Sequence, residues 1–203
     1  MKRTQEDAAQ TRQAVLNAAL SIFSRQSYAA ARLEDIAAEA GVTRGAIYHH
    51  FGSKAGLFNA LIDEASASGG AVVQAAIAEG GSFTAIVQRV LERSMAMLEE
   101  NTRFREVMAL SLFQSSGIPE LEPFTRQRAE QALTQVQQLA GFFQAGIAQG
   151  ALRPELDPTV AARAFLAYQD GLAVLWLSNR EAFSIKAQAG ALAAVFLQGI
   201  AVG

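Results

Sequence analysis

A short stretch near the N-terminus, AGVTRGAIYHHFGSK at positions 40–54, concentrates side chains that can do chemistry. Two adjacent imidazoles, His49 and His50, stand beside a phenol and two cations. The phenol and the cations belong to Tyr48, Arg44 and Lys54. Imidazoles bind metals or transfer protons, and aromatic and cationic groups together bind nucleic acids. Three kinds of site are therefore open: a metal centre, a catalytic centre and a nucleic-acid interface.

The metal and catalytic alternatives lack the residues that they need. His49 and His50 are the only histidines, and the chain has no cysteine. Neighbouring positions on a helix point about 100° apart, so two adjacent histidines do not readily hold one ion. No GxSxG, HExxH, P-loop or dinucleotide-binding pattern occurs in the chain. The sequence thus predicts no metal site, no cofactor, no catalytic residue and no enzymatic activity.

A nucleic-acid interface is favoured by the geometry of a helix over residues 44–51. If Ile47 and Phe51 face the core, the opposite side of this helix faces solvent. Gly45 and His49 then face fully outward, Tyr48 and Arg44 lie at one flank of the exposed side, and His50 lies nearer the core. A glycine lets a partner approach the backbone closely, and the polar groups match phosphates and base edges.

Two cations also stand where a helix dipole opposes them. Arg44 and Lys54 each begin a predicted helix, and the N-terminal end of a helix repels positive charge. Both placements are explained if anions such as phosphates dock nearby. The alternative is an ordinary packing unit, in which two helices are joined by a glycine turn and the charges are solvated.

The rest of the chain predicts an all-α fold that positions this stretch. Apolar residues recur at helical spacing and no long stretch alternates as a strand does, so we expect about nine helices. Gly41 should end the second helix, and Thr43 and Ser53 should cap the third and fourth. Gly69–Gly70 predicts a break near the end of the fourth helix.

Composition limits the class of protein. Of 203 residues, 51% are hydrophobic and 18% are charged, with a formal net charge of −2, which excludes a disordered chain. Residues 1–54 carry seven Lys or Arg against five acids, so this part is mildly basic. The polar N-terminus and the short length of the longest apolar run, 189–202, predict a soluble, cytoplasmic protein with no membrane partner.

The string LEDIAAEAGVTRGAIYHHFGSKAGLF, residues 33–58, resembles the DNA-binding domain of the tetracycline-repressor (TetR) family of bacterial regulators. That family shows an IA..AGV..G.IY.HF.sK..L pattern across its second to fourth helices. The similarity continues upstream through TRQAVLNAALSIFSRQSY and is nearest to the branch that represses multidrug-efflux genes. It implies a helix-turn-helix DNA-binding domain at 1–65 and a helical effector-binding and dimerisation domain at 66–203.

The resemblance implies roles for individual residues. Leu33–Ala40 would be the support helix, and Arg44–His50 the recognition helix in the major groove of a double-stranded DNA operator. The residues that would meet bases or nearby phosphates are Thr43, Arg44 and Gly45, and those that would chiefly meet phosphates are Tyr48, His49 and Lys54.

Two positions depart from the family pattern. Ser27 stands before Tyr28 where the family usually has glycine, and Arg32 stands where serine or threonine usually caps the second helix. Loss of that cap is expected to cost about 1 kcal/mol. Arg32 is either an additional phosphate or base contact or an ordinary surface arginine.

The resemblance also implies a homodimer formed by the last two helices. Asp157 and Pro158 should open the first of these, and residues 187–202 form a helix that is apolar nearly all round. Its small residues, which allow close approach of a second helix, are Ala187, Gly190, Ala191 and Ala194. We therefore expect a homodimer through residues 157–202. The alternative is burial of this helix inside a large monomer.

An effector pocket among the middle helices is implied in the same way. The candidate wall residues are Met95, Met97, Phe104, Met108 and Phe113, and Asp170 is a candidate polar anchor or cation partner. The alternatives are ordinary core packing for the apolar residues and a wet helix face for Asp170. The scarcity of charge in this region predicts a small organic effector with a large apolar surface.

Together these features predict a ligand-responsive transcriptional repressor that binds a palindromic operator as a dimer and is released by an apolar small molecule. A protein of another class stays open at this point, namely an all-helical carrier or scavenger of apolar molecules with a vestigial helix-turn-helix. Salt-sensitive binding to a palindromic duplex would distinguish the regulator from the carrier.

Overall fold

The structure is a computed structural model that describes residues 5–202. Within that range it contains nine α-helices, one 3-10 helix and no β-strand, which confirms the all-α prediction. The helices are α1 (Gln5–Ala30), α2 (Leu33–Ala40), α3 (Arg44–Phe51), α4 (Lys54–Ala78), α5 (Phe83–Glu100), α6 (Thr102–Gln114), α7 (Glu122–Ala148), α8 (Pro158–Ser178) and α9 (Ile185–Ile200), with the 3-10 helix at Pro119–Leu121. None of these helices has both the length and the apolarity to cross a membrane. Lys2 and Arg3, two of the cations counted above, lie outside the described residues, as does Gly203.

The turns on either side of α3 use the predicted capping residues. Gly41 adopts a left-handed conformation (φ 66°) that ends α2. The Thr43 hydroxyl accepts a hydrogen bond from the backbone N–H of Ala46, and the Ser53 hydroxyl accepts one from Gly56. Local hydrogen bonds therefore determine where α2 ends and where α3 and α4 begin.

The predicted break at Gly69–Gly70 is wrong, because α4 continues to Ala78. A glycine inside a helix costs about 1 kcal/mol relative to alanine, which is too little to end a helix that other interactions stabilise. Arg89 holds the C-terminal end of α4, since its Nη1 donates to the carbonyl oxygens of Ala76 (2.6 Å) and Gly80 (3.2 Å). Gly80 is also the left-handed residue that follows the helix.

The described residues pack into two compact units. The first contains the residues up to Ala67 together with Glu106–Thr125, and the second contains Ser68–Arg105 and the residues from Arg126 onward. Residues 106–125, which the sequence analysis assigned to the C-terminal domain, thus pack in the same unit as α1, α2 and α3.

Three aromatic rings form the centre of the first unit. Phe23, Tyr28 and Phe58 are buried, and the centroids of each pair of rings lie 5.1, 5.5 or 5.6 Å apart. Aromatic pairs in such tilted and edge-on arrangements add roughly 0.5–1.5 kcal/mol to the effect of burial. The rings join α1 to α4 and so support the two short helices between them.

In the second unit α5 packs along α9, and α8 packs against both. The Glu99 carboxylate at the end of α5 accepts hydrogen bonds from Ser184 Oγ and the backbone N–H of Lys186, so it closes the N-terminus of α9. The helix α9 begins at Ile185 and ends at Ile200, so each end lies two residues before the corresponding end of the predicted span 187–202. The Asp157 side chain caps α8, as predicted.

Candidate nucleic-acid interface

The outward face of α3 carries the side chains that the sequence analysis placed there. Ile47 is fully buried, which orients the helix, and Phe51 is partly buried on the same side. The solvent-exposed residues of the helix are Arg44, Gly45, Tyr48 and His49. An eight-residue helix held by one buried side chain and two caps therefore presents a short polar and aromatic surface.

Arg44 is oriented by two neighbours on this surface. Its Nη1 lies 2.5 Å from Glu34 Oε1 on α2, and its Nη2 donates to Tyr48 Oη at 2.8 Å. The guanidinium carbon lies 5.2 Å from the centroid of the Tyr48 ring. The hydrogen bond to Tyr48 and the charge of Glu34 raise the pKa of Arg44. The guanidinium is thus held against the exposed side of α3.

Lys54 performs a structural task that the sequence analysis did not foresee. Its Nζ donates to the carbonyl oxygens of Tyr28 (3.1 Å) and Ala31 (3.2 Å), and it lies 4.4 Å from the centroid of the Tyr28 ring. These carbonyls belong to the end of α1 and the turn that follows it. Lys54 therefore ties α4 to the corner between α1 and α2.

The helix-dipole argument for anion binding is weakened by these contacts. Arg44 has a carboxylate partner and Lys54 has two carbonyl partners. The unfavourable position of each cation at a helix N-terminus is thus offset within the chain. The placement of the two cations does not by itself indicate a phosphate.

Arg32 and Thr43 occupy the N-caps of α2 and α3. Arg32 makes no side-chain cap, as predicted, and its exposed guanidinium has no hydrogen-bond or ion-pair partner among residues 5–202. The Thr43 hydroxyl is engaged with the Ala46 N–H at 3.3 Å, although the side chain is exposed. Arg32 is therefore the candidate DNA contact whose cation is least engaged by the protein itself.

The two histidine rings lie next to each other on α3. Their centroids lie 5.4 Å apart in an edge-on arrangement. No group of three or more potential metal ligands comes together in the described part of the chain.

The candidate effector residues lie in both structural units. Met108 and Phe113 belong to the first unit, and Met95, Met97, Phe104 and Asp170 to the second. Met95 is core, whereas Phe113 is 51% exposed. Asp170 is exposed on α8, and nearby protein atoms shield its carboxylate enough to raise its pKa.

Comparison with known proteins shows which family the chain resembles. Residues 15–61 match the family described as "Bacterial regulatory proteins, tetR family", and residues 83–201 match the "MAATS-type transcriptional repressor, C-terminal region". The chain belongs to the TetR family. The matched N-terminal segment contains α2 and α3 complete, so the exposed face of α3 lies in the DNA-binding region of a TetR-family protein.

Relatives and solved structures agree with this assignment. The HTH-type transcriptional regulator TtgR of Pseudomonas putida is 31% identical over 178 residues, which are 87% of this chain and 85% of that protein. NalD, the secondary repressor of the MexAB-OprM multidrug efflux pump in Pseudomonas aeruginosa, superposes with a TM-score of 0.83 at 25% identity, covering 97% of this chain and 98% of that chain. A SmeT–triclosan complex superposes with a TM-score of 0.80 at 23% identity, covering 95% and 92%.

This TetR-family chain is therefore a helix-turn-helix DNA-binding transcriptional repressor. The predicted family is confirmed. The prediction that the protein is not an enzyme is also confirmed, because its relatives are transcriptional regulators.

Three features of the DNA-binding unit were missed by the sequence analysis. Tyr28 Oη donates to Glu120 Oε2 at 2.8 Å, and burial together with this carboxylate raises the pKa of Tyr28. Ser27 has φ 68° and ψ 160°, a conformation that is essentially restricted to glycine. A Cβ at Gly56 would lie 2.1 Å from the Phe51 carbonyl oxygen, so no side chain fits there. The sequence carried a signal for the unusual backbone conformation of Ser27, because the family usually has glycine at the position before Tyr28.

Proposed function

We propose that this protein represses transcription by binding a palindromic operator as a homodimer and that an apolar organic molecule releases it from DNA. The observation that carries the proposal is the exposed face of α3, where Arg44 is aligned by Tyr48 and Glu34 next to an exposed glycine. A helix of this kind, preceded by a support helix and a tight turn, enters the major groove in helix-turn-helix proteins. The site of action is the cytoplasm, where the DNA lies.

The DNA contacts divide by chemistry. Arg44 at the first turn of α3 would reach base edges, since a guanidinium pairs with the two acceptors of guanine. Gly45 would let the backbone of α3 approach the groove closely. Thr43 lies at the same end of α3, as its N-cap. The side chains that would contact phosphates are Tyr48, His49, Lys54 and Arg32. Lys54 would use the third N–H of its ammonium, because two are directed at carbonyl oxygens.

The proposed homodimer is supported by the exposed side of α8 and α9. Val195 on α9 is 63% exposed and Leu175 on α8 is 60% exposed, although both helices are mostly apolar. The small residues predicted to admit a second helix are all exposed: Ala187, Gly190, Ala191 and Ala194. Apolar surface of this extent on two neighbouring helices favours association over a monomer. Two recognition helices per dimer would read an inverted repeat.

The proposed effector is an organic molecule with a large apolar surface. Met95, Met97 and Phe104 of the second unit would contact it, because methionine and phenylalanine form adaptable apolar walls. The SmeT–triclosan complex supports a ligand of this class, and the NalD repressor of a multidrug efflux pump supports an efflux operon as the regulated target. Effector and operator would each weaken binding of the other by the same factor.

A gel-shift experiment tests the proposed function. The wild-type protein is titrated into a duplex taken from upstream of its coding gene, with an unrelated duplex of equal length as the competitor. We expect a specific complex that weakens as salt rises and is released by hydrophobic cations, aromatic antibiotics or fatty acyl compounds. Equal affinity for both duplexes would contradict the operator proposal, and release by small hydrophilic metabolites alone would contradict the effector class.

A further inference from the structure

Two opposite charges on α8 have no partner in the fold. Arg163 and Asp170 are both exposed, and neither makes a hydrogen bond or an ion pair within residues 5–202. They are seven residues apart, so they lie on one face of the helix and about 10 Å apart along its axis. The face therefore displays a cation and an anion separated by two turns.

No other unpaired charge is available on the exposed apolar surface of these two helices. Between Pro158 and Ser178 the chain has only Arg163 and Asp170 as charged residues, and α9 adds only Lys186. Lys186 already forms an ion pair with Glu100 at the end of α5. Arg163 and Asp170 are thus the remaining charged groups of α8 and α9.

The exposed side chains around this pair are small or apolar, and two valines are placed symmetrically about Ala167. Val160 is 55% exposed and Val174 is 38% exposed, and each lies seven residues from Ala167. Ala164 and Gly171, three and four positions from the centre, are also exposed. Reversing the direction of the helix about Ala167 places Val160 opposite Val174 and brings Arg163 opposite Gly171, one residue or about 1.5 Å along the axis from Asp170.

We propose that α8 packs antiparallel against α8 of a second copy of this chain, about a two-fold axis near Ala167, with Arg163 paired to the partner's Asp170 and Asp170 paired to the partner's Arg163. The inference rests on the homodimer proposed above and adds its register. A two-fold axis makes the interface self-complementary, so one pair of residues supplies two ion pairs. Paired charges within an apolar interface contribute mainly to specificity of register and partner.

This arrangement assigns Asp170 to the dimer interface instead of the effector pocket. The carboxylate is already shielded enough in the single chain to disfavour its charged form. Burial against a second copy would disfavour that form further unless a cation came close. Arg163 of the partner subunit supplies that cation in the antiparallel register.

Charge reversal at the two positions tests the proposal. Asp170→Arg gives a face with two cations, and Arg163→Asp gives a face with two anions, so we expect each variant alone to raise the dimer dissociation constant at least about 100-fold. An equimolar mixture of the two variants should form a heterodimer, and the double variant Arg163→Asp/Asp170→Arg should recover the homodimer. Sedimentation equilibrium measures the self-association, and native mass spectrometry identifies the heterodimer by its mass. Arg153→Asp, which reverses an exposed loop cation, is the matched control and should stay dimeric.

The outcomes separate this inference from the proposed function. A wild-type protein that is monomeric at micromolar concentration overturns the homodimer. A dimeric wild type whose two single variants stay dimeric, or fail to combine when mixed, overturns the register while the homodimer stands. Circular dichroism checks folding of each variant, and the double variant decides the question if a single variant does not fold.

Discussion

Arg44 of the recognition helix and Glu34 of the preceding helix form an ion pair, with Nη1 and Oε1 2.5 Å apart. Their side chains are 54% and 57% exposed, so solvent screens the pair and it adds little to stability. Its consequence is positional, because the guanidinium is held between Glu34 and Tyr48. DNA that binds Arg44 must compete with the Glu34 carboxylate.

The first prediction follows from this competition. Glu34→Gln keeps the shape of the side chain and removes its charge, so we expect the operator to bind about 5-fold more tightly, as loss of one screened repulsion allows. Fluorescence anisotropy of a labelled operator measures the change. Glu181→Gln, which neutralises an exposed acid in the second unit, should leave the affinity unchanged. Weaker binding by Glu34→Gln would show that the carboxylate positions Arg44 for DNA instead of competing.

Gly45 gives the second prediction, in which stability and DNA binding separate. An added Cβ would meet only Thr43 Oγ1 at 3.8 Å, so Gly45→Ala should fold at least as stably as the wild type, with a gain of up to about 1 kcal/mol. Operator affinity should fall, because the methyl group stands where the DNA approaches. Urea unfolding and anisotropy measure the two effects. Gly70→Ala, whose Cβ has open space on α4, is the control and should change stability alone. An unaltered affinity in Gly45→Ala would argue against close approach.

Ser27 gives the third prediction. A serine at φ 68° and ψ 160° stores about 1–3 kcal/mol of backbone strain that glycine avoids. We expect Ser27→Gly to raise the free energy of unfolding by about 1 kcal/mol, after allowing for the greater entropy of glycine in the unfolded chain. Ser24→Gly, at an exposed helical position of α1, should instead lower it by about 1 kcal/mol. An equal loss of unfolding free energy in Ser27→Gly and Ser24→Gly would show that the backbone at Ser27 is not strained.

Glu99 gives the fourth prediction, which concerns pH. The backbone N–H of Lys186 and the hydroxyl of Ser184 hold the pKa of Glu99 below its usual value. A carboxylate whose pKa is lower in the folded state stabilises the protein at neutral pH, and this contribution is lost as pH falls through the folded-state pKa. Glu99→Gln should therefore be less stable than the wild type at pH 7, and the difference should shrink in acid. Urea unfolding at pH 7 and pH 3.5 measures it, with Glu155→Gln as the control. A difference that does not vary with pH would contradict the assignment.

Local signals in the sequence predicted much of the DNA-binding unit. The caps at Thr43 and Ser53 and the left-handed turn at Gly41 depend on hydrogen bonds within four residues, and all three are present in the structure. The outward face of α3 followed from the spacing of Ile47 and Phe51. Such features are readable because the interacting groups are close along the chain.

Contacts between residues far apart in the sequence could not be predicted from it. Glu120 lies 92 positions from Tyr28, and no periodic pattern connects them. The helix α4 continues through Gly69–Gly70, and Arg89 on the next helix donates hydrogen bonds to carbonyl oxygens at its C-terminal end. Lys54 was assigned to phosphates from its place in a motif, although its ammonium also bonds to carbonyl oxygens at the end of α1. Tertiary interactions of this kind override local preferences.

The central claim is that α3 reads DNA through Arg44, and a salt-dependent operator titration tests it most directly. Wild type, Arg44→Ala and the matched control Arg153→Ala are titrated into the same labelled operator at several salt concentrations. We predict that Arg44→Ala loses about 1–3 kcal/mol of binding free energy and discriminates less between operator and mutated operator, whereas Arg153→Ala binds as the wild type does. Identical affinity and identical discrimination in a folded Arg44→Ala protein would contradict the account.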